Sequence, residues 1–255
     1  GSSSPPAGLT MATASSGNTI TRNTIDTVQG NAGASGDPVG LSLGSGVTNT
    51  SATRNTISNV TYLGTGGYGG RGIDINTGNA SSGLTIANNS VSNIKGDGWN
   101  AFSSDSIVGI RITGTTGGIN LYYNSVNLGS GSFAGNTSGT LSAAIYVAST
   151  VTALDIRDNA LATNLVNSNA ATAKSYAIYS DAPSTSFTDI NYNDYFATGT
   201  QGTLGFLTSA RTTLAQWQSA TGKDANSLAV DPLFNSATNL QPKLGTPLLL
   251  AGTPI

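Results

Sequence analysis

One short phrase returns six times along the chain, and one asparagine in it falls at positions 23, 55, 89, 124, 159 and 193. The intervals are 32, 34, 35, 35 and 34 residues. The phrases read I-T-R-N-T-I from Ile20, A-T-R-N-T-I from Ala52, I-A-N-N-S-V from Ile86, L-Y-Y-N-S-V from Leu121, I-R-D-N-A-L from Ile156 and I-N-Y-N-D-Y from Ile190. A second phrase keeps step with it: a small residue, then apolar, variable, apolar. Gly8-Leu9-Thr10-Met11, Gly72-Ile73-Asp74-Ile75, Gly109-Ile110-Arg111-Ile112 and Ala144-Ile145-Tyr146-Val147 are examples. Repetition at this period means one structural unit stacked on copies of itself.

In the second phrase, apolar residues alternate with a variable one, the period of a half-buried strand. Ile20-Thr-Arg and its equivalents form a second strand, and Ile25 to Val28 or Ile57 to Val60 a third. Three short strands per repeat wind into one lap of a coil, and each strand pairs in parallel with its counterpart about 4.8 Å along the axis. Equivalent side chains then stand above one another. The six asparagines therefore form one column of stacked amides at a bend of the chain. The small residue before each first strand is expected to permit a tight corner.

Composition narrows the chemistry. Charged residues make up 9% of the 255 residues, with net charge −2 and neither Glu, His nor Cys. Disulfides, thiolate metal sites and Ser-His or Cys-His nucleophiles are thereby excluded. Few strong helix formers are present, whereas Gly, Ser, Thr and Asn suit turns and strands. Aliphatic residues recurring in register argue against disorder. Ten scattered basic residues do not make a nucleic-acid surface, and no stretch approaches the ~20 apolar residues needed to span a bilayer. Neither a cofactor nor a metal site is predicted.

The repeat resembles that of the right-handed parallel β-helices of the pectate-lyase-like superfamily, with their N-x-I/V corner. The resemblance covers about residues 8–205 and implies an all-β, right-handed parallel β-helix of about six coils. A flexible lead (1–7) precedes it and a C-terminal cap (206–255) follows. Thr212 to Ala220 reads as one short helix capped by Thr212 and stopped by Gly222, with Leu214 and Trp217 on one face. Together with Phe206 it is expected to close the bottom of the core. Asp231-Pro-Leu-Phe234 and Thr246-Pro-Leu-Leu-Leu-Ala-Gly252 resemble segments that precede anchoring or sorting domains in bacterial surface proteins, with Leu250 where those carry Asp. The resemblance implies a secreted or surface-displayed protein, in a superfamily holding lyases, hydrolases, adhesins and inert spacers alike.

Long connections at 29–37, 62–71, 96–106, 129–140 and 167–174 fall at one corner of the repeat, and such loops are often the binding face. They carry Tyr62, Tyr68, Trp99, Phe102 and Phe133. Beside them run the outward residues of the first strand, including Asp74, Arg111, Tyr146 and Tyr179. Flat aromatics next to hydrogen-bonding groups suit sugar rings. Folding back of the loop aromatics over the flank of the rod is the plainer reading, and Asp74 with Arg111 is expected to form a surface ion pair. Glycoside hydrolysis needs two carboxyls facing one bond, and no Asp pair recurs on this face. The expected function is a non-catalytic structural or adhesive module, with a polysaccharide lyase or hydrolase and a glycan-binding module as alternatives. Leu9, Met11, Ile20 and Ile25 are expected to meet solvent at an uncovered top, which either a preceding domain or the tail of a neighbouring copy adding head to tail would cover.

Overall fold

The computed structural model describes residues 5–33, 35–98, 106–138 and 141–254. Three parallel sheets run side by side along it. The first stacks Ala7–Met11, Val39–Leu43, Arg71–Ile75, Ile107–Ile112, Leu141–Val147, Lys174–Ser180 and Gly202–Leu207. The second stacks Thr19–Thr21, Ser51–Thr53, Leu84–Ala87, Gly117–Tyr122, Thr152–Arg157 and Phe187–Asn191. The third stacks Thr24–Gly30, Thr56–Tyr62, Ser90–Lys95, Ser125–Phe133, Ala160–Asn167 and Asp194–Ala197. Each pairs in parallel one repeat away: Ile73 aligns with Ile110, Ile110 with Ile145, and Ile145 with Ile178. The chain is thus an all-β parallel solenoid with a single α-helix among the described residues. It makes about five turns rather than six, because the six asparagines mark rungs and six rungs bound five laps.

Alternation along each strand sends aliphatic side chains inward, and from the second rung on most of them are sealed from solvent. They form one continuous core from Ile20 to Trp217. The small residues ahead of the first-strand isoleucines do not make corners. Gly72 and Gly109 lie inside strands, where a Cβ on Gly72 would meet Val91 Cγ1 at 2.3 Å and Gly109 O at 2.5 Å. Glycine is required there because a β-branched residue of the third sheet presses on the backbone.

The sharp bend lies between the second and third sheets. It is made by Arg22, Arg54, Asn88, Tyr123, Asp158 and Tyr192, all left-handed with φ of 55–60°. Such a conformation costs a non-glycine residue about 1–2 kcal/mol. The asparagine that follows offsets it. Asn89 Oδ1 accepts from Asn55 N and Asn55 Nδ2, both at 3.0 Å, while Asn89 Nδ2 donates to Asn124 Oδ1 at 3.0 Å and to Ala52 O at 2.9 Å. The same amide chain joins Asn23, Asn55, Asn89, Asn124, Asn159 and Asn193 at 2.9–3.0 Å. It ends on Ser227, whose Oγ accepts from Asn193 N at 2.8 Å.

At the C-terminal end, Ser209–Arg211 folds back antiparallel on Gly202–Leu207 and occupies the sheet edge. Helix α1 (Leu214–Thr221) follows, capped by Thr213 rather than Thr212: Thr213 Oγ1 accepts from Gln216 N, and Thr212 donates to the Gln216 side chain instead. Gly222 stops it at φ 66°. Trp217 is fully buried under the last rung, and its Nε1 donates to Asp224 Oδ2 at 2.6 Å, as does the Tyr195 hydroxyl. Burial pushes the Asp224 carboxyl above its ordinary value. Phe206 takes no part in this plug, since its position in the strand points it outward. At the other end Leu9 and Met11 are half-buried, whereas Ile20 and Ile25 are buried, not solvent-facing, because they point into the coil over the next rung.

Beyond the helix the chain returns along the outside of the rod. Leu228 bridges Asp194, Val230 N donates to Asp194 Oδ1 at 2.9 Å, and Thr253 N donates to Asp158 Oδ1 at 2.7 Å. The Tyr123 hydroxyl closes this strap on Thr253 O at 2.6 Å.

Candidate functional site

The outward column of the first sheet runs through Thr10, Ser42, Asp74, Arg111, Tyr146, Tyr179 and Phe206, each the register partner of the next. Parallel pairing of identical strand positions places them there, one per rung. The column divides into a charged part and an aromatic part.

In the charged part, Asp74 Oδ1 accepts from Arg111 Nη1 at 2.9 Å and its Oδ2 from Arg71 Nη1 at 3.2 Å. Arg71 also binds Asp37, whose other oxygen accepts from Gly69 N at 2.7 Å. Arg111 is only 7% exposed and Asp37 6%. The expected surface pair is therefore one link of a largely buried four-residue network. Asp37 escaped the sequence reading because it sits three residues ahead of a repeated phrase, where no periodicity marks it.

In the aromatic part, Tyr179 stacks on Phe206 with ring centroids 4.2 Å apart and planes 3° from parallel. Tyr146 lies 5.9 Å above Tyr179, and Tyr176 meets both Tyr179 and Phe206 edge-on at 5.1 and 6.2 Å. The Tyr146 hydroxyl donates to Asp181 Oδ2 at 2.9 Å. Burial, reinforced by the Asp181 charge, pushes the Tyr179 hydroxyl up to about 12 and that of Tyr146 further. These phenols stay protonated and act as neutral hydrogen-bonding groups. Tyr146 and Tyr176 are buried, with Val108 and Ala143, in an apolar cluster separate from the core, while Tyr179 and Phe206 remain half-exposed. Tyr176 and Phe206 were legible in principle, being aromatics at outward strand positions of consecutive rungs.

The loop residues divide differently. Tyr62 is buried and meets half-exposed Tyr68 edge-on at 5.3 Å, so this pair folds back on the rod. Phe133 also packs against the core. Trp99 and Phe102 lie outside the described residues.

Asp155 and Asp189, on the second sheet, are also engaged. Asp155 receives Arg157 Nε and Nη2 and the Tyr122 hydroxyl, all at 2.6 Å, and Asp189 lies 3.7 Å from Arg157. Among the described residues no cluster of three or more metal-ligating side chains occurs, and no helix is long and apolar enough to cross a membrane. No family model matches the chain, and neither a curated protein nor a solved structure matches it.

Proposed function

We propose that the chain is a non-catalytic structural and adhesive module of a bacterial extracellular surface, akin to the pectate-lyase-like β-helices, which holds polysaccharide against the outer face of its first sheet. One observation carries the reading: the single carboxylate in that column, Asp74, has both oxygens held by guanidinium groups. A general acid or base needs an oxygen free to reach the proton it moves. The neighbouring rungs instead present stacked rings beside buried hydroxyls, which suit the apolar face and polar rim of a sugar. Self-association enters this proposal through Ala7–Met11, which among the described residues pairs on one side alone, whereas Ser209–Arg211 and α1 cover the opposite edge of the sheet.

Incubation with a panel of plant and bacterial polysaccharides should yield neither new reducing ends nor unsaturated products. Retention on at least one polymer should fall in Tyr179→Ala. Product formation that disappears in Asp74→Asn would establish the lyase or hydrolase reading in its place.

A further inference from the structure

The strap that climbs the rod also builds a cleft against it. Residues 233–243 form a hairpin in which Asn235 N donates to Gln241 O at 2.9 Å and Lys243 N to Leu233 O at 2.8 Å. Ser236 Oγ holds the turn by accepting from Thr238 N and Asn239 N at 3.3 and 2.9 Å. Leu240, 4% exposed, pins the hairpin to the rod. Its base is fixed where Val230 N meets Asp194 Oδ1. One wall of the cleft is therefore preformed.

The opposite wall is the outward column of the third sheet. Asn127, Ala162 and Phe196 are register partners on three successive rungs. Small Ala162 between two larger side chains leaves a recess, and the cleft holds about 370 Å³, at the low end for small-ligand sites. Half-exposed Phe196 and Phe234 give it apolar surface, while Asn127, Asn164, Asp231 and Lys243 give it polar groups. The Asn127 Oδ1 is used by Gly129 N at 3.1 Å. Asn164 is exposed and spends neither amide atom on the protein, although Gly199 packs so close to its Oδ1 that a Cβ would come within 2.5 Å. No salt bridge joins Asp231 to Lys243 among the described residues.

We propose that this cleft binds a neutral sugar ring of a polysaccharide chain. A pyranose offers C–H faces to the phenyl rings and hydroxyls that both donate and accept, matching amides, one carboxylate and one ammonium. The two charges cancel, so a phosphate or polyanion finds no net attraction, and a lipid chain would leave the amides unpaired. The site is separate from the first-sheet face and stands or falls independently of it.

Affinity electrophoresis of the full chain tests the proposal, using gels that contain dextran, mannan or xylan, with polygalacturonate and heparin as charged comparators. At least one neutral polymer should retard the protein. Phe196→Ala and Asn164→Ala should each weaken that retardation tenfold or more, and Asn226→Ala, at an exposed position outside both the cleft and the first-sheet face, should leave it unchanged. Should Phe196→Ala disturb folding, Ala237→Trp places bulk at the cleft mouth from an exposed hairpin position and should abolish binding. Three results would overturn the proposal: no retardation by the neutral polymers, retardation by charged polymers alone, or retardation that Asn164→Ala and Ala237→Trp leave intact. Loss in Tyr179→Ala alone would move sugar binding to the first-sheet face.

Discussion

Two columns run the length of the same rod and are built by the same parallel register, yet they differ in kind. The amide column at the bend repeats one residue on six rungs, and each asparagine is chained to the next. The outward column of the first sheet changes at nearly every rung, from hydroxyls through an acid and a base to aromatics. Register alone imposes no uniformity. The bend does, because a left-handed residue there leaves backbone groups that a side-chain amide satisfies in both directions. A uniform column thus marks what the fold needs, and a variable one marks a surface open to other uses.

The largest expected effect breaks the uniform column at its centre. Asn124→Ala removes two bonds donated by its Nδ2 and two accepted by its Oδ1. Buried partners left unmatched cost about 1–3 kcal/mol each, so a loss of about 3–6 kcal/mol should appear in urea unfolding. Asn23→Ala, on the half-exposed first rung, should cost about 1 kcal/mol, giving a gradient along the column. A flat gradient would mean that the amide chain does not act as a unit.

Next is the charged part of the variable column. Asp74→Ala leaves Arg111 buried without its carboxylate and should cost about 3 kcal/mol, again read by urea unfolding. A cost below about 0.5 kcal/mol would return the pair to an ordinary surface contact.

A pH titration separates the strap from both columns. Burial pushes the Asp194 carboxyl up to about 7 from 3.8. The native state therefore holds this proton more tightly than the unfolded chain. Its stabilising effect is complete below about pH 4 and disappears as pH rises through 7. Asp158 and Asp224 shift in the same direction, again chiefly through burial. The unfolding midpoint should be higher at pH 5 than at pH 8.5, by roughly 2 kcal/mol in stability, and Asp194→Asn should remove much of the difference.

The smallest effect on folding belongs to the aromatic part. Tyr179→Ala should cost about 1 kcal/mol or less from stacking on Phe206, while lowering polysaccharide retention on the first-sheet face about tenfold. Equal losses in folding and binding would make the ring a structural residue.

What the sequence made legible follows the same division. The asparagines announced the bend, the rungs and the parallel pairing, because stacking repeats one local environment. Residues off the repeat stayed hidden. Asp37 completes a network across rungs, and nothing in its spacing joins it to Arg71 or Asp74. The helix was visible from its apolar face and Gly222, but its cap slipped by one residue because two threonines adjoin. Glycines of the first strand were read as corners when they answer to side chains arriving from another sheet, a contact that one strand's sequence does not contain. The strap was invisible for a related reason: its partners, such as Asp158 for Thr253, lie almost a hundred residues away.

The most direct test of one lap per repeat uses the absence of native cysteine. Thr85 and Asn120 are register partners on neighbouring rungs of the second sheet, while Asp155 lies one rung further. Thr85→Cys/Asn120→Cys should oxidise to an intramolecular disulfide, since the Cα atoms of paired strands fall within bonding range. Thr85→Cys/Asp155→Cys should stay reduced. Ready bonding in the second variant, or none in the first, would contradict the stacked solenoid.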